Sequence, residues 1–236
     1  MKELKNWDNK TWLSSKSYIN SFNSFLLKKK KLNKNSKILD IGCGRGGIFG
    51  SLSRKLKLNN KPIGIDPVPH TDVDKLIDFR NEDAFKFFKT NQNKFDLIMI
   101  KQTLHFFNKD KRKKLIKICK NNLKKNGVLI IFSLNTTNNE IPCFKLMKQK
   151  LKIGLERDSR MLKSACKSLK NYRIDKFKFK VSITKNKYAQ MLKKKYISCL
   201  INLTKKELNK GIKEINDIYS NEIIFRDILI CIKYKH

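Results

Sequence analysis

Acids, glycines and prolines are scarce in this chain. Only 20 Asp and Glu stand against 55 Lys and Arg, and there are 9 Gly and 4 Pro in 236 residues. So little Gly and Pro excludes a collagen-like or linker-dominated protein, and no internal repeat or low-complexity tail is visible beyond the lysine excess. Paired cysteines are also missing. Cys43, Cys119, Cys143, Cys166, Cys199 and Cys231 are widely scattered, with no CxxC pair and no His at metal-ligand spacing. That excludes a disulfide scaffold and a zinc module, and leaves reduced, mostly buried thiols with no metal site. No apolar run is long enough to span a bilayer, and the opening MKELKNWDNK lacks the apolar core of a secretory signal. A soluble, cytoplasmic protein without a membrane partner is expected.

What is present suits one α/β domain. A 40% apolar content in 236 residues supports a single sizeable core. The net charge of +35 invites a nucleic-acid reading, because lysines neutralise phosphates and release counterions. Only eight of the basic residues are Arg, however, and the lysines are spread along almost every segment instead of forming one face. Solvated lysine is therefore favoured over a nucleic-acid partner, and the oligomeric state is not set by the sequence.

Short apolar runs alternate with longer amphipathic ones. Residues 37–41 (KILDI), 62–66 (PIGID), 76–79 (LIDF), 95–100 (FDLIMI) and 127–134 (GVLIIFSL) have the length and branching of buried parallel strands. Helices are predicted over 47–57, 84–90 and 110–125. In the last, Leu115, Cys119 and Leu123 recur at helical spacing and Asn126-Gly127 supplies a stop. This alternation predicts a doubly wound, mostly parallel sheet. Beyond Leu134, residues 135–172 read as polar and helical, and 175–184 (DKFKFKVSIT) as a strand. Tyr188, Leu192, Tyr196, Cys199 and Leu203 mark one helical face, Thr204 to Glu207 forms a capping box for the next helix, and 223–234 reads as a final strand.

The stretch ILDIGCGRGG over residues 38–47 places a glycine-rich bend straight after a strand that carries an acid. Alternate glycines remove the Cβ atoms that would hold a ligand off the backbone. Gly42, Gly44 and Gly47 also satisfy GxGxxG, the pyrophosphate-binding pattern of nicotinamide and flavin enzymes. An anion-repelling Asp40 suits that ligand poorly, and suits a cationic, phosphate-free ligand better.

With its acid followed by GxGxG, Asp40-Ile-Gly42-Cys-Gly44-Arg-Gly46 resembles the first motif of the class I S-adenosylmethionine-dependent methyltransferases. The likeness continues through Asp66 in GIDP, Asp83 in NEDAFKF, 95–100 with the following KQTLHFF, and GVLIIF, so it covers residues 35–135. It implies a Rossmann-like fold with a seven-stranded sheet and a helical lid, in a single domain over 1–236. Residues 1–35 would form an N-terminal lid segment, 36–135 the cofactor-binding core, and 136–236 the lid helices and closing strands. It also implies S-adenosylmethionine as cofactor, S-adenosylhomocysteine as product, and an enzyme that methylates an O or N of a small molecule.

The resemblance assigns residues in turn. Asp40, Gly42, Cys43, Gly44 and Gly46 would cradle the cofactor, with Lys101 and Gln102 at its methionine end. Asp66 would hold both ribose hydroxyls, as an ionised carboxylate accepts two donors, with Pro67 beside it. Asp83 and Ala84 would hold the adenine, although Asp66 can also cap a turn and Asp83 the helix beginning at Ala84. His105 is the candidate base, or alternatively a His packed among aromatics; His70 reads as a surface or rim residue. Trp7, Trp12 and Tyr18 lie in the N-terminal segment, which can simply anchor a helix. Trp12, Tyr18, His105, Phe106, Arg157, Arg160 and Tyr196 are the candidates for lining the acceptor pocket, the arginines suiting a carboxylate. KQTLHFF lacks the (D/N)PP(Y/F) pattern used to grip a planar amine, which favours a metabolite. An RNA methyltransferase and a non-catalytic S-adenosylmethionine-binding protein stay open as alternatives.

Overall fold

The computed structural model describes residues 11–236. Seven strands form one sheet in the order β3-β2-β1-β4-β5-β7-β6. The strands β1 (Ile38–Ile41), β2 (Ile63–Ile65), β3 (Asp78–Arg80), β4 (Phe95–Lys101) and β5 (Leu123–Leu134) are mutually parallel. β7 (Glu222–Lys235) inserts antiparallel between β5 and the edge strand β6 (Tyr172–Thr184).

Residue alternation explains why the sheet is covered on both faces. Ile38, Leu97, Met99, Val128, Ile130 and Phe132 enter one core; Leu39, Ile41, Ile98, Ile100, Leu129 and Ile131 enter the other. On the first face, α1 (Lys16–Lys29) lays Phe22 against Phe132 (ring centroids 4.7 Å apart) and Phe177 (5.1 Å). α2 (Gly47–Leu56), α6 (Lys185–Lys193) and α7 (Lys205–Ile218) contribute to the same core through residues such as Phe49, Tyr188 and Ile215. α3 (Ala84–Thr90) and α4 (Lys109–Asn121) cover the second face. The long α5 (Lys145–Leu169) serves both, with Leu151 in the first core and Leu162 in the second.

Several boundaries differ from those expected. α4 ends before Leu123, because Leu123 pairs with Phe95 in the sheet and Lys124 Nζ reaches Asp96 Oδ2 at 2.7 Å. Of residues 135–172, only α5 is helical. The helical face expected from Tyr188 to Leu203 breaks after α6, where Lys195 adopts φ 53°, and a single 3-10 turn follows at Ser198–Leu200. Tyr196, Leu200 and Leu203 stay buried all the same, so spacing reported burial there and not helix. Thr204 and Glu207 do form the capping box of α7. Among the described residues, no helix is long and apolar enough to cross a membrane.

Candidate functional site

The carboxyl ends of β1 and β4 sit side by side, the edge where ligands bind in open α/β sheets. The β1–α2 bend there holds Gly42, Gly44 and Gly46 at φ 76°, 55° and 72°, the left-handed region that side chains disfavour. The three glycines are needed for different reasons. A Cβ on Gly42 would lie 2.1 Å from Thr103 Oγ1 and one on Gly46 2.8 Å from Ile77, so both serve internal packing. A Cβ on Gly44 would meet no atom of the described residues within 4 Å.

A cavity of about 240 Å³ opens on this bend. Asp40, Gly42, Cys43, Gly44, Gly46, Lys101 and Gln102 all line it. Leu13, Ser14 and Ile19 wall it from the N-terminal side, and Arg45, Asp72, Asp74 and Met99 also line it. None of these latter residues was singled out from the sequence. The Ser15 hydroxyl caps α1 by accepting from the Tyr18 amide, and that cap is the one sequence signal that could have placed the wall.

Asp40 is 3% exposed and its Oδ1 has no hydrogen-bond partner. Burial, opposed by Lys101 and reinforced by Asp66, pushes its carboxyl up to about 8. Lys101 Nζ donates to Gln102 Oε1 at 3.2 Å and lies 5.7 Å from the ring centroids of both Tyr18 and Phe22. A further acid emerges in the structure: Asp227, in the middle of β7, 2% exposed, accepts from Trp12 Nε1 at 2.9 Å. Burial raises its pKa, against the Trp12 bond and the charge of Lys101. Its signal in the sequence is a lone acid on the apolar parity of IIFRDILICIKY.

Asp66 stands next to the bend but not in the cavity lining, and neither Pro67, Asp83 nor Ala84 lines it. The Asp66 carboxylate accepts from the Gly44 amide at 3.0 Å and the Val68 amide at 2.9 Å. Its Oδ2 lies 3.6 Å from His70 Nε2, whose side chain is 2% exposed. His70 is therefore not a surface residue: only its backbone meets solvent, and its imidazole is turned in against Asp66. Asp83 caps α3, accepting from the Phe85 and Lys86 amides at 2.8 and 3.1 Å.

The remaining candidates are dispersed. Trp12 is buried edge-on to Tyr196 (5.3 Å) and Phe225 (5.1 Å). Tyr18 is fully buried with its hydroxyl unpartnered, and Tyr196 shares a 2.9 Å hydrogen bond with Tyr188. None of the three lines the cavity; they pack behind its wall, where aromatic bulk is worth more as core. His105 also lies outside the lining. It is packed on Phe106 (4.1 Å), with its Nε2 buried and unpartnered. Burial lowers its pKa, with Asp158 opposing and Arg157 reinforcing the shift. Phe106 and Arg160 are exposed, and Arg157 pairs with Asp158 at 3.0 Å on α5. Trp7 lies outside the described residues.

The cofactor implied by the earlier resemblance carries an ammonium group and a sulfonium centre and no phosphate. The residues present fit it. Asp40, which lines the cavity, carries a buried carboxyl oxygen without a partner among the described residues, and the side-chain-free Gly44 lines the same cavity.

Comparison with known proteins bears on the fold. Residues 39–131 match the family model described as a methyltransferase domain. A carboxy-S-adenosyl-L-methionine synthase of Helicobacter pylori (strain HPAG1) is 30% identical over 108 residues, covering 44% of this chain and 45% of that protein. The match thus spans less than half the length of that relative. Among solved structures, the plantazolicin methyltransferase BpumL, in complex with a monoazolic desmethylPZN analog and S-adenosylhomocysteine, gives a TM-score of 0.53 at 15% identity. That match covers 98% of this chain and 88% of the other. Precorrin-6y C5,15-methyltransferase of Geobacter metallireducens GS-15 gives 0.52 at 13% identity, covering 90% and 88%. Identities this low show a shared fold and no more: the chain folds like these methyltransferases, and the stretch that matches the methyltransferase-domain model is its residues 39–131.

Proposed function

We propose that this chain transfers a methyl group from S-adenosylmethionine to an oxygen or nitrogen of a small molecule. One observation carries the reading: the unpartnered Asp40 Oδ1, buried in a cavity that also exposes the bare Cα of Gly44. S-adenosylmethionine, when bound, supplies a methyl carbon on a sulfonium sulfur that leaves as the neutral thioether of S-adenosylhomocysteine.

The chain's own residues then divide the work. Asp40 takes the ammonium, becoming ionised as it does so, because an adjacent cation reverses the burial penalty. Lys101 and Gln102, at the carboxyl end of β4, hold the methionine carboxylate. Asp66 and Pro67 take the ribose, and Asp83 and Ala84 the adenine. The bend of Gly42, Cys43, Gly44 and Gly46 brings backbone against the cofactor. Positioning supplies most of the rate, since in-line displacement depends chiefly on holding the acceptor at attack distance.

In this reading the acceptor approaches past Leu13 and Ser14. Trp12, anchored by Asp227, fixes that wall, with Tyr18 and Tyr196 packed behind it; Phe106, Arg157 and Arg160 lie outside the cavity lining and would meet only an acceptor that extends beyond it. His105, outside the cavity lining, is the candidate to receive the acceptor's proton from an acceptor that reaches it.

The test is incubation with labelled S-adenosylmethionine and a metabolite extract in high salt. Label in the small-molecule fraction is the expected result. Label confined to added RNA, lost with rising salt, would favour the nucleic-acid acceptor instead. Binding of S-adenosylmethionine without turnover on any acceptor would favour a non-catalytic protein.

A further inference from the structure

We infer that His70 gates the nucleoside half of the cofactor site, so that the segment over residues 67–73 must swing away before the ribose can reach Asp66. The inference rests on the assignment of Asp66 to the ribose. Two independent observations support it. First, the carboxylate is already engaged. Its Oδ1 accepts from Val68 N–H and its Oδ2 from Gly44 N–H, while the buried His70 imidazole stands 3.6 Å from Oδ2. The Asp66 side chain is only 12% exposed, too little for a diol to lay two hydroxyls against it. Second, the cavity on the glycine bend reaches Asp40, Lys101 and Gln102 but is not lined by Asp66, Pro67, Asp83 or Ala84. The methionine half is open, whereas the Asp66 carboxylate is covered even though Pro67 and Asp83 beside it are exposed.

The same connection is tethered at its far end. Asp74 accepts from the Leu76 amide at 3.0 Å and pairs with Arg54 at 3.1 Å, and its own amide donates to Arg45 O at 3.0 Å. No helix intervenes between β2 and β3 among the described residues, so the covering stretch is short and pivots on fixed ends. The open arrangement is then a minor state, and the apparent affinity for a nucleoside is its intrinsic affinity scaled by the open fraction.

Removing the imidazole should therefore tighten binding, the reverse of what loss of a contact does. Titration of the full chain with S-adenosylhomocysteine by calorimetry should show His70→Ala binding about tenfold more tightly than wild type, for an open fraction near one in ten. Unchanged or weaker binding by a folded His70→Ala variant would overturn the gate and leave the cofactor assignment standing. No binding by either protein would overturn the cofactor assignment, and the gate with it. A second measurement needs no variant. In stopped-flow mixing of wild type with S-adenosylhomocysteine, the observed rate should level off at the opening rate as ligand is raised; a rate that climbs linearly without a plateau would contradict the gate.

Discussion

Asp40, inside the end of β1, and Asp66, just after β2, belong to two neighbouring, parallel-paired strands, yet their surroundings are opposite. Asp66 is satisfied within the protein, by two backbone amides. Asp40 is buried with an oxygen unpartnered, and burial pushes its carboxyl up to about 8. One acid maintains the loop that it belongs to. The other is kept at a cost, and in the proposed function that cost is recovered when a cation arrives. The same residue type is thus satisfied internally at one strand end and left with an unpartnered oxygen at the next, and the hydrogen-bond inventory separates them.

Opposite responses to substitution would sharpen the contrast. The largest effect is expected for Asp66→Ala, which orphans the Gly44 and Val68 amides. Stability should fall by about 3 kcal/mol, read by denaturant unfolding, and affinity for S-adenosylhomocysteine by more than about tenfold. Full stability in this variant would erase the distinction between the two acids.

Asp40→Asn should lose affinity by a similar factor while gaining stability. The sign follows from linkage. A carboxyl raised in the folded state contributes stability that is present below its unfolded value of 3.8 and is lost as pH rises towards about 8. An amide cannot ionise, so the ligand-free variant should melt at least about 3 °C above wild type at pH 8.5. A lower midpoint at that pH would mean that Asp40 holds the fold together and is not strained within it.

The smallest effect is expected for Gly44→Ala. Its Cβ meets no atom of the described residues, so the stability loss is confined to the left-handed backbone, about 1 kcal/mol, while ligand affinity falls severalfold. Gly42→Ala is the control: its Cβ collides with Thr103, so stability suffers first.

The first half of the sheet was legible in the sequence because ILDI, FDLIMI and GVLIIF are apolar on both faces, a pattern that only a doubly covered strand needs. The bend was legible because its glycines and acid stand at fixed offsets from a strand end. His70 was not, since PVPHTD has no periodicity to show which side chain turns inward. The break after α6 was hidden because Tyr196, Leu200 and Leu203 stay buried without a helix. The cavity wall was assigned to the conspicuous aromatics Trp12 and Tyr18, whereas Leu13, Ser14 and Ile19 face the space. Large aromatics gain more by full burial in the core than by lining a polar cavity.

The central claim is that Asp40 waits, protonated, for the ammonium of the cofactor. Calorimetric titration with S-adenosylhomocysteine at pH 7, repeated in buffers of different ionisation enthalpy, counts the protons exchanged on binding. With the Asp40 carboxyl held at about 8, the account predicts release of close to one proton by wild type and none by Asp40→Asn. Tight binding by wild type with no proton released would contradict it.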